Sequence, residues 1–359
     1  MERQKIYKIL TLLLLMQWAF VQILSQYPSF IEKYYSNGLY LYISKFLRLI
    51  FGWLPFSFGD LMYITLIVII LYSIFKLFRK RKITLKTSFF KIGALASILF
   101  FVFNLNWGLN YLRPSLSSHL KIDNKPYTDE ELITFTKKLI HKTNQIHYSI
   151  TNDDTILIQK NISKKEIREY SFEAYKQLAT VYPQFKHQTS SLKNSLFSVP
   201  LTYMGFAGYL NPVTNEAQVN YLIPKNSYPA TVCHELAHQI GIAPESEANF
   251  VSYLATKHSK NPFFNYAGST MALRYCLADI YRKQPAQFEL LKKELNKGIL
   301  KDLKESQEFW QSYQNWSEKY FKLFYDSFLK ANKQKDGIKG YSKMVTLLIN
   351  YYNIEEHQL

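Results

Sequence analysis

Apolar positions are spread unevenly along the chain. Before residue 112 they form long runs with scarcely a charge, and after it charges recur every few residues. Three early runs stand out. The stretch "IYKILTLLLLMQWAFVQILSQYP" has no charge after Lys8 for more than 20 residues. "LMYITLIVIILYSIF" at 61–75 ends in "KLFRKRK", and "IGALASILFFVFNLNWGL" at 92–109 is closed by Arg113-Pro114. Each reaches the ~20 residues a helix needs to cross ~30 Å of hydrocarbon. They predict transmembrane helices at about 6–25, 59–77 and 91–109, and three such runs at one end of a chain fit spans better than core helices. The basic start (Arg3, Lys5, Lys8) resembles a signal peptide. The apolar run is long for one, however, and no small-x-small cleavage site follows, so an uncleaved span is expected.

Loop charge sets the expected orientation. Lys76, Arg79, Lys80, Arg81, Lys82, Lys86 and Lys91 lie between the second and third runs with no acid among them. The positive-inside rule places that loop and the basic N-terminus in the cytoplasm. Everything after about residue 110 is then extracytoplasmic. Between the first two runs, "LYLYISKFLRLIFGWLPF" has a broad apolar face and is expected to lie along the membrane surface.

The later pattern is that of a helical domain. Thr128 with Glu131, and Ser163 with Glu166, have the spacing of capping boxes at the heads of two amphipathic runs. From about 186 to 224 the chain is richer in Ser, Gly, Asn and β-formers, and "NEAQVNYLIP" alternates like a short strand. Helices are expected over about 229–240, 244–258 and 265–282, then through amphipathic stretches between 286 and 331, with a last one at "YSKMVTLLINYY". The predicted fold is mainly α: a membrane region over 1–110, then a helical soluble domain with a small β element over 111–359.

Composition changes this picture little. The formal charge of +17 invites nucleic acid as a partner. No zinc-finger, RNP or helix-turn-helix signature accompanies it, so a lipid bilayer is the expected partner and nucleic acid is not. Two cysteines, Cys233 and Cys276, are too few for a disulfide framework, although one bridge is conceivable.

The candidate chemistry lies in "ATVCHELAHQIGIAPESEANFVS" at 230–252. An H-E-x-x-H pattern alone is weak, so its setting matters. Pro229 suits a first helical turn and Gly241 a left-handed stop, which makes "PATVCHELAHQI" a helix. His234 and His238, at i and i+4, share one face where two imidazoles can bind one metal. Glu235 sits beside them, where a general base belongs. Cys233 points about 100° away and reads as a packed thiol. Pro244 near N1 opens a second helix, on which Glu245 and Asn249 stand at i and i+4.

Here the sequence resembles the glutamate-type zincins, whose HExxH is followed on a later helix by Glu-x-x-(Ser/Ala)-(Asp/Asn). Thermolysin-like and membrane-anchored peptidases share that arrangement. The resemblance implies Zn²⁺ held by His234, His238 and Glu245, with Asn249 bonded to a ligating histidine and Glu235 catalytic. The interval from His238 to Glu245 is shorter than that clan's, and Glu247 remains a competing ligand. "RLIFGWLPFSFGDLMY", "NWGLNYLRPSL" and "GYLNPVTNEAQVNYLIP" before "HELAHQ" also resemble a bacterial domain-of-unknown-function family of three-span membrane HExxH proteins.

The expected function is a membrane-anchored zinc metallopeptidase that hydrolyses extracytoplasmic peptide or protein substrates through a zinc-activated water. "NEAQVNY" is the expected edge strand for such a substrate. His258, Arg274 and Tyr281 are candidate oxyanion donors. The alternative is a catalytically silent membrane sensor whose zinc only staples two helices.

Overall fold

A computed structural model describes residues 2–79, 85–158, 162–187, 189, 191–334 and 341–357. Lys80, Arg81 and Lys82 of the basic loop lie outside the described residues.

Three helices are long and apolar enough to cross a membrane: α1 (Glu2–Leu24), α4 (Phe58–Arg79) and α5 (Leu85–Asn106). The last starts earlier than the apolar run suggests, because "LKTSFFK" continues the helix. It also ends sooner, because Trp107 leaves helical geometry (φ −156°, ψ −52°) and a 3-10 turn follows. Between α1 and α4, one turn, α2 (Pro28–Phe30), leads into a π-wound stretch, Ile31–Leu39, and then into α3 (Tyr40–Phe51). As the pattern predicts, α3 is two-faced. Leu41, Tyr42, Phe46, Leu49 and Ile50 are exposed, whereas Tyr40, Ser44 and Arg48 are buried against the rest of the protein.

The soluble part is mainly helical. A short helix, α6 (Leu116–His119), precedes α7 (Asp129–Thr151) and α8 (Lys164–Val181). Both expected capping boxes form: Thr128 with Glu131, and Ser163 with Glu166. A small mixed sheet follows, made of β1 (Leu192–Asn194), β2 (Gly208–Leu210) and β3 (Ala217–Val219), with α9 (Ser198–Met204) between β1 and β2. The strand order is β1-β3-β2, β3 pairing parallel to β1 and antiparallel to β2. This corrects one expectation. "NEAQVNY" supplies β3, which is the central strand, so β2 and not β3 offers an open edge.

The remaining helices are α10 (Tyr228–Gln239), α11 (Glu245–Lys257), α12 (Pro262–Lys283), α13 (Pro285–Lys293), α14 (Lys297–Ser312), α15 (Glu318–Ala331) and α16 (Tyr341–His357). Pro244 falls one position outside its helix, as the N-cap with extended ψ (131°), and not at N1. One core joins Val232 and Leu236 of α10 with Val251 and Leu254 of α11, Leu273 and Leu277 of α12, and Leu139 and Leu178 of α7 and α8. Cys233 and Cys276 are separate buried thiols in it, not a disulfide.

The domain is fastened to one end of all three spans. The Glu216 carboxylate accepts from the Phe58 and Gly59 amides (3.2 and 2.6 Å), unpaired donors at the positive end of α4. Asp60, one residue on, accepts from Ser195 Oγ (3.0 Å), the Leu196 amide (2.6 Å) and the Tyr209 hydroxyl. At the end of α5, Trp107, Tyr111 and Leu112 form a second apolar cluster with Ile31, Tyr35, Tyr40 and Ala243.

Candidate metal centre

The HExxH helix is fixed at its C-terminal end by residues of α3 and of the segment after α5. Gly241 takes φ +86° and stops α10, as expected of a C′ glycine. Around it the last carbonyls of α10 acquire partners. Arg48 Nη1 and Tyr40 Oη donate to the Gln239 carbonyl (2.9 and 3.1 Å), and Arg113 Nη1 donates to that of Gly241 (3.2 Å). Two guanidinium groups thus sit at the negative end of the helix. The indole of Trp107 stands edge-on to the His238 ring at 5.7 Å. The centre therefore lies one side-chain layer from the end of α5.

The i, i+4 spacing brings the His234 and His238 rings to 4.6 Å, and the Gly241 turn returns the chain so that Glu245 opens α11 opposite them. His234 Nε2 lies 3.1 Å from Glu245 Oε2, and His238 Nε2 lies 3.6 Å from Glu245 Oε1. One donor atom from each of the three lies within 4.8 Å of the others. A tetrahedral ion with bonds of ~2.0–2.1 Å needs donors about 3.4 Å apart, near the two His–Glu separations, so the set could hold a metal ion.

Both tautomers suit ligation as well. His238 Nδ1 contacts the Ile242 carbonyl (2.7 Å), which can only accept, so Nδ1 carries the proton and Nε2 keeps its lone pair. Asn249 Nδ2 donates to the Tyr275 hydroxyl (2.9 Å), leaving Oδ1 to accept from His234 Nδ1 (2.9 Å). Burial alone would raise the Glu245 carboxyl, but the two histidines outweigh it and hold it down at about 2. Glu247, the competing ligand, is buried elsewhere and accepts from the Leu116 amide at 2.9 Å.

Glu235 lies beside this cluster and is only 3% exposed. Its Oε2 is buried without a hydrogen-bond partner among the described residues. Burial, reinforced by the charge of Glu245 against the opposing His234, pushes its carboxyl up to about 8. Its other oxygen faces β2: a Cβ added at Gly208 would fall 2.5 Å from Glu235 Oε1 and 2.7 Å from the Gln218 carbonyl. Only glycine fits there, between the acid and the sheet.

Sequence reasoning missed the group that covers the centre. Tyr325 of α15 donates to Glu245 Oε1 at 2.6 Å, with Phe206 packed against its ring at 5.1 Å. The expected oxyanion donors are elsewhere. His258 caps the far end of α11, about 20 Å along the helix axis, and its ring faces Tyr182. Arg274 is on the exposed side of α12, and Tyr281 packs against Phe288 at 5.1 Å. The one local signal for Tyr325 is the aromatic density of "YFKLFYDSFL", which does not single out this position. Cys233 is the packed thiol expected, its pKa pushed up to about 12 by burial.

Over residues 35–349 the sequence matches a family described as "Protein of unknown function (DUF3810)", and the chain belongs to that family. No curated protein and no solved structure matches it.

Proposed function

We propose that this member of the DUF3810 family is a membrane-anchored, zinc-dependent metallopeptidase, with its N-terminus in the cytoplasm and its helical domain outside. The observation that carries the reading is the buried carboxylate of Glu235, with an unpartnered oxygen, beside three convergent zinc-type donors. A purely structural site would have a fourth protein ligand and no use for that acid.

His234, His238 and Glu245 would hold the ion, which when bound supplies Lewis acidity for the carbonyl and for water. Glu235 takes a proton from the attacking water, whose oxygen bonds to the scissile carbonyl carbon. The C–N bond breaks, and Glu235 returns that proton to the leaving amine. The open edge of β2 offers backbone groups to an extended chain, and Gly208 keeps the path to Glu235 clear.

A zinc that only staples α10 to α11 is the second reading, favoured by the Tyr325 hydroxyl seated on Glu245. Glu235→Gln in the full chain separates the two. At matched zinc occupancy the variant is expected to keep its zinc and to lose ~10²–10⁴-fold in cleavage of unfolded protein and mixed peptides. If zinc-loaded wild type cleaves nothing in its bilayer, the staple stands and the peptidase does not.

A further inference from the structure

The helix that carries Tyr325 is apolar over a broad arc, about two-thirds of its circumference. Tyr325, Phe328 and Leu329 line the part turned to the protein, with Leu329 buried and Phe321 exposed at its edge. The rest of the arc, running on from Phe328, shows Phe324 (73% exposed), Tyr320, Leu323 (63%) and, two residues before the helix, Trp316 (81%). A surface helix ordinarily buries its apolar stripe, and an uncovered part of this size marks a contact.

What borders this face identifies its occupant. At the C-terminal end of α15, Phe328 packs on Phe103 of α5 at 5.9 Å, and Lys333 Nζ donates to Gln22 Oε1 of α1 at 2.8 Å. Both contacts lie at the domain-facing ends of spans. The N-terminal end of α15 meets α9, where Asn315 Nδ2 donates to the Tyr203 carbonyl (2.7 Å). That helix in turn starts from the head of α4, through the Leu196 amide on Asp60. Leu196, Val199 and Tyr203 are half-exposed and continue the apolar surface. The ridge of α9 and α15 thus runs from the end of α4 to the ends of α1 and α5. Lys319, Lys322 and Lys330 stand on the remaining polar strip of α15, between Leu329 and Leu323.

We infer that the exposed side of α15, with α9, rests in the headgroup layer of the bilayer, and that the metal centre acts on polypeptide held at that membrane surface. Tyr, Trp and Phe beside lysines are the composition of an interfacial helix. The ridge is continuous with membrane-spanning helices at both ends, which favours lipid over a soluble partner. Tyr325 places the inner side of the same helix on a metal ligand, so a substrate reaching Glu235 passes next to the lipid-facing ridge. α1 and α5 pack closely, Thr11 Oγ1 donating to the Phe90 carbonyl (3.1 Å). Among the described residues α4 has no comparable packing on either, which leaves lipid access to the underside of the ridge. The substrate class rests on the peptidase reading; the placement of the ridge does not.

The test uses full-length protein in bilayer nanodiscs. Because Cys233 and Cys276 are buried, a nitroxide can be directed to Phe324→Cys, to Val199→Cys on α9, and to Tyr148→Cys as an exposed control on α7. Labels at 324 and 199 are expected to be relaxed by oxygen and shielded from a water-soluble nickel chelate, with the reverse at 148. Water-like exposure at both ridge sites overturns the inference, and so does shielding from both reagents, which signals a protein partner or a second copy. Thermal melts that match those of the unlabelled protein certify the labelled folds. In a second arm, one peptide sequence is offered free or on a membrane anchor. The anchored form is expected to be cleaved at least about tenfold faster, as effective concentration dictates, with the preference lost in Leu323→Glu/Phe324→Glu. Equal cleavage of both forms overturns the substrate class. Cleavage of neither defeats the peptidase reading instead, and the nitroxide result then decides the placement of the ridge.

Discussion

Tyr325 donates its hydroxyl hydrogen to Glu245 Oε1 at 2.6 Å, across 80 residues of chain. The bond ties the ridge helix α15 to the only carboxylate of the candidate metal cluster. A partner of this kind orients the ligand and is commonly worth ~10–100-fold in metal affinity. Tyr325→Phe is therefore expected to weaken zinc binding by about that factor in a chelator competition. Asn249→Ala, which strips the orienting acceptor from His234, should do the same. Unchanged affinity in both would remove these residues from the site.

The ligands themselves should separate sharply. His234→Ala, His238→Ala and Glu245→Ala are each expected to abolish stoichiometric zinc in the purified chain. Glu247→Gln should keep it, since Glu247 faces the Leu116 amide and not the cluster. Metal analysis of the four variants is the measurement. Zinc lost in Glu247→Gln and retained in Glu245→Ala would reverse the assignment.

How far these residues were legible beforehand follows from the range of each interaction. The three long apolar helices, both capping boxes, and the pairing of His234 with His238 are written in local spacing, and the third helix shifts its bounds most, to Leu85–Asn106. Local spacing left Glu245 and Glu247 as rivals. Two positions apart on a helix means about 200° of rotation, and only the docking of α11 decides which side faces the histidines. Tyr325, Gly208 and the clamp of Arg48 on Gln239 come from distant parts of the chain. No spacing rule reaches them. The same holds for β2, whose edge position depends on how three short strands are ordered.

His187 gives a pH dependence away from the ligands. Its Nε2 donates to Gln239 Oε1 (2.9 Å), because Gln239 Nε2 is committed to the Ser191 and Asn215 carbonyls. Burial, with the Arg48 charge adding, pushes the imidazole down to about 3. The folded protein keeps it neutral, while the unfolded chain takes up a proton below about pH 6.5. Its contribution is thus fully present above pH 6.5 and lost as pH falls towards 3. Between about pH 7 and pH 5 the linkage amounts to about 2 kcal/mol. His187→Gln should show a correspondingly smaller loss of stability over that range in denaturant melts. Parallel pH curves for the two proteins would contradict it.

The proposed orientation rests on charge at 76–91, seven lysines and arginines without an acid. A reporter that is active only in the cytoplasm, fused after Leu359, should be silent. One that is active only outside should give signal. The opposite pattern would turn the domain inward, and with it any substrate.

Gly208 offers a test of mechanism that leaves every ligand untouched. The space between β2 and Glu235 holds no methyl group: a Cβ at 208 meets Glu235 Oε1 at 2.5 Å and the Gln218 carbonyl at 2.7 Å. The carbonyl belongs to the central strand and is the less movable of the two. Glu235, one buried side chain, must therefore give way. Gly208→Ala is expected to retain stoichiometric zinc, because His234, His238 and Glu245 are contributed by α10 and α11 alone. It should nevertheless approach the ~10²–10⁴-fold loss of cleavage expected of Glu235→Gln, since the proton acceptor is displaced and not removed. Zinc occupancy and turnover on one preparation supply the comparison. Full turnover in Gly208→Ala would mean that Glu235 does its work from a position other than the one beside β2. Loss of zinc would mean that the strand, and not only the acid, supports the ligands.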